Sequence, residues 1–232
     1  MHVEPWFLDQ GIPKFPTWNP LWAEALERFG GKPCLQLLDR CVSYRELGKE
    51  SRKLAEFLHE LPGWRRGALV LVPVRGEEFF PKMLAVCGAG GVLVPVRNDG
   101  SWSNEPLTVS SDWIWSEEHP VATGSLIDLP SSEWHAIYHT SGSTGLPRGV
   151  VRGWRQALYE AAHYASVLGL VEGMNCTMLI HPSFGAFTKH FLGCLLSGCI
   201  QSVPDVTGMK PRGGDLLYGT PSQIIARESE LV

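Results

Sequence analysis

Two short apolar runs, Ala68–Val74 and Gly91–Val96, flank a helix-like stretch at Phe79–Gly88, and this alternation constrains the fold more than any other feature of the chain. A continuous apolar run of this length suits a strand covered on both faces. Strand, crossover helix and strand make a βαβ unit, which pairs its strands in parallel through a right-handed connection. The fold class expected is α/β, with mixed, largely parallel sheets flanked by helices.

The flanking sequence extends this pattern. A Pro- and Trp-rich lead-in runs to Pro20, followed by a short helical stretch over Leu21–Phe29. Ser43 with Glu46 three residues on forms a capping box, and Tyr44, Leu47, Leu54, Phe57, Leu58 and Leu61 keep helical spacing until Pro62-Gly63 stops it. Between Arg97 and Ser132 lies a polar, Trp-containing excursion with two strand candidates, Trp113–Trp115 and Ser125–Leu129. Its tryptophans suit edge packing better than a binding platform, because aromatic rings tend to bury area. Further on, strands are expected at Trp134–Tyr138, Thr177–His181, Cys199–Val203 and Asp215–Gly219, with helices over Trp154–Leu168 and from about Thr188 to Gly198. Thr220-Pro221-Ser222-Gln223 opens a last helix with a second capping box and a proline at its first position.

The balance of 20 basic against 24 acidic residues gives a formal charge of −4, and no basic run exceeds Arg65-Arg66, which argues against nucleic-acid binding. The first eleven residues lack the basic start and apolar run of a signal peptide, and nowhere do about 18 apolar residues follow one another as a membrane span needs. Six cysteines, at 34, 41, 87, 176, 194 and 199, show no C-x-x-C pair and suit free thiols in a reducing, cytoplasmic setting. No cysteine or histidine grouping has metal-ligand spacing, so no protein metal site is expected.

Between the strand at Trp134–Tyr138 and the helix from Trp154 lies His139-Thr140-Ser141-Gly142-Ser143-Thr144-Gly145-Leu146-Pro147-Arg148-Gly149-Val150. Its glycines admit torsions and close approaches that a side chain would block. The hydroxyls of Thr140, Ser141, Ser143 and Thr144 add donors, and Arg148 adds a planar, fixed charge. Backbone N–H groups, hydroxyls and a guanidinium together suit a polyphosphate. The segment is not a Walker A loop, which requires Gly-Lys-Ser/Thr after four residues, and no Rossmann Gly-x-Gly-x-x-Gly follows the early strands.

This loop resembles the phosphate-binding signature of the adenylate-forming superfamily, which includes acyl-CoA synthetases, luciferases and the adenylation domains of peptide synthetases. That signature runs Thr-Ser-Gly-Ser-Thr-Gly-x-Pro-Lys-Gly-Val, and here Arg148 replaces its lysine. The Ser-Tyr-Arg-Glu-Leu helix and the βαβ unit, from about Val42 to Val96, are similar to the opening of the same enzymes' large domain. The resemblance implies activation of a carboxylic acid with ATP to an acyl-adenylate and pyrophosphate, then transfer to a thiol of CoA or a carrier protein. It implies that Thr140, Ser141, Gly142, Ser143, Thr144, Gly145 and Arg148 bind the ATP phosphates, with Mg²⁺ carried in by the nucleotide. It also places Phe184 and Gly185, with His181 beside them, in the acyl pocket. Amino-acid-activating domains often carry an aspartate at the position of Gly185, so its absence points away from an ordinary α-amino acid.

On the same resemblance, residues 1–41 are a lead-in and 42–232 part of an AMP-binding α/β domain, with the adenine-binding segment, ribose aspartate and C-terminal lid lysine absent. Three readings stay open: the front part of an enzyme, one half of a split enzyme whose partner chain supplies the rest, and a pseudoenzyme that binds ATP or phosphate without catalysis.

Overall fold

The computed structural model describes residues 5–9, 12–15, 17–97, 112–115, 120–123, 134–140, 148–207 and 214–226. In chain order the elements are β1 (Leu8–Asp9), β2 (Ile12–Pro13), α1 (Trp18–Phe29), β3 (Pro33–Gln36), β4 (Cys41–Ser43), α2 (Tyr44–Glu60), β5 (Leu69–Val74), α3 (Phe79–Gly88) and β6 (Val92–Arg97). They continue with β7 (Trp113–Trp115), β8 (Pro120–Ala122), β9 (Trp134–Thr140), β10 (Arg148–Gly153), α4 (Trp154–Val167), β11 (Asn175–Met178), α5 (Gly185–Leu196), β12 (Ile200–Ser202), α6 (Pro204–Thr207), β13 (Leu216–Tyr218) and α7 (Pro221–Ala226). Two units arise, one from residues 1–47, 155–181 and 185–232, the other from 48–154 and 182–184.

The second unit holds the βαβ element. Its six-stranded sheet runs β10-β9-β6-β5-β7-β8, in which β9, β6, β5 and β7 are mutually parallel and the two edge strands antiparallel. Register pairs Leu69 with Val92 and Leu71 with Val94, so these side chains, with Val96 and Ile137, build one buried cluster on a single face. Prolines inside two central strands call for an explanation, since each removes a ladder donor. The Leu69 N–H points to the β7 side, where it donates to the Asp112 carboxylate at 2.8 Å. Alternation then aims the Pro73 nitrogen the same way, beyond the β7 pairing at Val70 and Leu71. The Val92 N–H faces β5, donating to the Ala68 carbonyl, so Pro95 faces away from β5, two residues past the Leu93–Ala136 pairing with β9. Neither proline interrupts the β5–β6 ladder. Trp113 and Trp115 are buried, in keeping with packing, and Asp112 beside them is anchored by Arg65 at 3.4 Å.

The first unit carries a five-stranded sheet, β13-β11-β12-β3-β4, parallel except for the β3–β4 hairpin. Tyr44 is central to it, its hydroxyl donating to the Leu195 carbonyl at 2.7 Å and its ring against Trp22 and Phe29. The lead-in is tied to this core by Trp6, whose indole N–H donates to the Leu196 carbonyl at 2.6 Å. α1 starts three residues earlier than the sequence suggested. Pro20 sits in the first turn, where N–H groups have no helical partner to lose.

Both capping boxes form. Ser43 and Glu46 exchange bonds, with the Ser43 N–H donating to the Glu46 carboxylate at 2.8 Å and the Glu46 N–H to the Ser43 hydroxyl at 3.2 Å. The Ser43 N–H and then its hydroxyl, both donating to the carboxylate, lower the Glu46 pKa from its ordinary value. Thr220 and Gln223 repeat the exchange at 2.9 and 3.3 Å.

Several elements were not foreseen, among them the β3–β4 hairpin, where the sequence suggested only a polar connection between helices. A strand not foreseen, β8, opens on Pro120 at the sheet edge, whereas the candidate Ser125–Leu129 lies outside the described residues. The larger difference is β10, six residues that turn the expected strand-to-helix connection into a β-hairpin.

Two outcomes test this account of the packing. Ser43→Ala removes the first cap and should cost about 1 kcal/mol in urea unfolding, with the helix otherwise intact. Fully buried His135 is held neutral, its pKa pushed from 6.5 down to about 3 by burial and then by Arg152. The unfolded chain binds a proton there that the folded chain refuses, so stability is complete above pH 6.5 and falls as pH drops through the window to about 3. His135→Leu should flatten that decline by about 1.4 kcal/mol per pH unit within the window, read from urea midpoints at stepped pH.

Candidate functional site

The carboxyl end of a parallel sheet is where α/β folds present ligand-binding loops, and the glycine- and hydroxyl-rich loop leaves the second unit's sheet at that end, after β9. The register of β10 on β9 pairs Arg148 with Thr140, Gly149 with His139 and Val150 with Tyr138. Thr140 and Arg148 are therefore the paired residues at the facing ends of β9 and β10, with seven residues of sequence between them. Both are exposed, and the Thr140 hydroxyl donates to the Arg148 carbonyl at 3.4 Å across the base. The strands are pinned from the core side by Ala136, Ile137 and Tyr138, all buried, and by His135 packed on Trp154 with ring centroids 4.8 Å apart. Ser141, Gly142, Ser143, Thr144 and Gly145 lie outside the described residues.

A second cation, which sequence reading did not single out, stands at the same edge. β6 pairs with β9 at Leu93 and Ala136; four residues on, at the carboxyl ends of these parallel strands, stand Arg97 and Thr140. Arg97 is exposed, with its guanidinium over the Phe184 ring at 5.1 Å, and Phe184 is 46% exposed. A large apolar ring left this open beneath a cation is suited to cover a ligand, and stacking keeps the guanidinium fork in place at little cost in rotamer freedom. The signal available in sequence was only that Arg97 ends an apolar strand.

The remaining candidates are placed separately. His181, half-buried, follows β11 in the first unit, and Gly185 opens α5. Phe184 belongs to the second unit. His190, farther along α5, is buried between Tyr164 and Tyr218, and burial followed by the Lys189 charge lowers its pKa to about 3. It is a neutral packing residue rather than a proton carrier at neutral pH.

The described part of the loop fits a phosphate. Thr140 offers a hydroxyl and Arg148 a guanidinium, both exposed at the mouth of a segment whose sequence supplies further hydroxyls and glycines. Among the described residues, no carboxylate stands within salt-bridge distance of Arg148 or Arg97. Each is therefore available to an anionic ligand.

No protein-family model matches the chain. It is 26% identical over 204 residues to surfactin synthase subunit 1 of Bacillus subtilis, covering 77% of this chain and 6% of that protein. It is 22% identical over 244 residues to bacitracin synthase 2 of Bacillus licheniformis, covering 89% and 9%. The chain thus spans less than a tenth of these relatives. Among solved structures it resembles the NpsA N-terminal subdomain of Klebsiella oxytoca in complex with 3-hydroxyanthranilyl-AMSN, with a TM-score of 0.61, 24% identity and coverage of 80% of this chain and 52% of that one. It also resembles VinN in complex with 3-methylaspartate, with a TM-score of 0.69, 16% identity and coverage of 91% and 68%.

The two cations give a direct test. Arg148→Ala should weaken pyrophosphate binding by about tenfold, the loss of roughly one charge-assisted hydrogen bond, with Arg148→Lys near wild type. Arg97→Ala should weaken it less and leave folding unchanged, as followed by calorimetry and far-UV circular dichroism. In sequence the chain is thus similar to a short stretch of these peptide synthetases, and in fold to the NpsA N-terminal subdomain and to VinN.

Proposed function

We propose that the chain binds the polyphosphate of ATP in the 141–147 loop and contributes this grip to the activation of a carboxylic acid as its acyl-adenylate. The observation that carries the reading is the hairpin register, which sets Thr140 and Arg148 opposite each other at the base of a loop rich in glycine and hydroxyls. ATP, with the Mg²⁺ it brings, would supply the adenylyl group, pyrophosphate leaving as the carboxylate oxygen attacks the α-phosphorus. In this reading the loop N–H groups and hydroxyls orient the β- and γ-phosphates, and Arg148 balances charge on the departing pyrophosphate. The chain's part in the reaction is then positioning and charge stabilisation.

The acid substrate is read from the side chains near Gly185. A glycine there offers no carboxylate to a substrate ammonium, which points away from an ordinary α-amino acid and toward an aryl, acyl or unusual amino acid. His181 and Phe184 are the other residues assigned to the acyl side. Transfer of the acyl group to a carrier-protein or CoA thiol completes the proposal, with any further segments supplied by the same polypeptide or a partner chain. The replacement of lysine by Arg148 keeps the charge but changes its reach, and this substitution favours a second reading, in which the chain holds ATP or pyrophosphate without catalysis.

Pyrophosphate–ATP isotope exchange against a panel of carboxylic acids separates the two, because only reversible adenylation yields acid-dependent exchange. Adenylation predicts exchange with at least one acid, abolished by Gly145→Val while the far-UV spectrum stays folded. Saturable ATP binding without exchange across the panel would establish the binding-only reading, and absence of both would overturn the phosphate grip.

A further inference from the structure

Three of the six cysteines meet inside the first unit, although they are far from a metal-binding pattern in sequence. Cys176 lies on β11, Cys194 in the last turn of α5, and Cys199 between α5 and β12. Their sulfurs all lie within 4.8 Å of one another, and each residue is no more than 2% exposed.

The backbone explains the convergence. α5 ends in a turn closed by Gly198 at φ 78°, where the Cys199 N–H donates to the Cys194 carbonyl at 3.0 Å. Gly198 is the residue this turn requires: its φ is left-handed, and an added Cβ would come within 2.7 Å of Phe29. The turn folds Cys199 back beside Cys194. β11 and β12 then pair in parallel, Asn175 with Ile200 and Cys176 with Gln201, which brings the third thiol alongside.

A fourth group stands there unused. Gln201 is fully buried, and neither its amide oxygen nor its amide nitrogen has a hydrogen-bond partner among the described residues. As the cross-strand partner of Cys176, it presents its side chain on the same face of the sheet. A buried amide without partners costs on the order of 1–3 kcal/mol and calls for a ligand or an ordered water.

We propose that Cys176, Cys194 and Cys199 bind a thiophilic divalent cation of the zinc class, with the Gln201 amide oxygen as the fourth donor. A tetrahedral thiolate site has metal–sulfur distances of about 2.3 Å and hence sulfur separations of about 3.8 Å, so closure asks the thiols to approach by at most about 1 Å. Three thiolates around a dication leave one net negative charge, less costly to bury than the two that a monovalent ion would leave. The existing thiol bonds are weak enough to be replaced, Cys199 donating to the Val171 carbonyl at 3.4 Å and Cys176 to the Met174 carbonyl at 4.0 Å. Filling the site would clamp the end of α5 to β11 and β12. This inference is independent of the nucleotide-binding proposal.

Cobalt(II) titration of the reduced protein, in a Cys41→Ala background that removes the exposed thiol, reads the site through its absorption bands. The expected result is uptake of one equivalent, with sulfur-to-cobalt charge transfer and the intense visible bands of tetrahedral coordination, displaced by zinc(II), and a thermal midpoint raised by zinc and restored by chelator. Cys176→Ala and Cys199→Ala should each lower affinity at least tenfold. Cys87→Ala, a buried thiol in the other unit, should not, and it serves as the control for the effect of core substitution. Gln201→Leu should keep the charge-transfer band and weaken binding. Absence of one-equivalent uptake by the folded protein, or bands that survive in Cys176→Ala and Cys199→Ala, would overturn the proposal.

Discussion

Parallel pairing of β5, β6 and β9 is the constraint on which the candidate site depends. It sends three strands out at one edge of the second unit's sheet and so fixes where the loop at 141–147, Thr140 and Arg97 emerge. The pairing is held by a dry face of Leu69, Leu71, Val92, Val94, Val96 and Ile137, and the prolines leave it intact because their missing donors point away from the shared ladder. Burial of that face is worth roughly 1.5–3 kcal/mol for each large side chain.

The β10 hairpin adds a second consequence. The Thr140–Arg148 pair and the rungs behind it hold the ends of β9 and β10 together on either side of residues 141–147. The hairpin also places Arg148 on the returning strand, held in the ladder opposite Thr140. In the first unit the tight packing is of another kind, with Tyr44, Trp22 and Phe29 on one side and the thiol cluster at the end of α5.

Much of this was legible in the sequence, for identifiable reasons. The βαβ unit and both capping boxes rest on local rules, and α3 begins and ends at the residues that spacing indicates. The resemblance of the loop to the adenylate-forming signature led to the same fold that the solved structures display. β10 was not legible, because Arg148-Gly-Val-Val-Arg-Gly153 has glycines at both ends and exposed valines, and its pairing with β9 is a tertiary fact. Arg97 had no local signal, since only the sheet sets it beside Thr140. The three thiols were hidden for the same reason: strand pairing and a left-handed glycine assemble them, not spacing along the chain.

The central claim is that the loop between β9 and β10 is the nucleotide-phosphate site. Peptide-resolved hydrogen–deuterium exchange with and without Mg·ATP tests it most directly. The account predicts slowed exchange in peptides covering 139–150 and the end of β6, with β11 and β12 unchanged. Bound ATP that leaves those peptides at their free rates, while protecting another region, would contradict it.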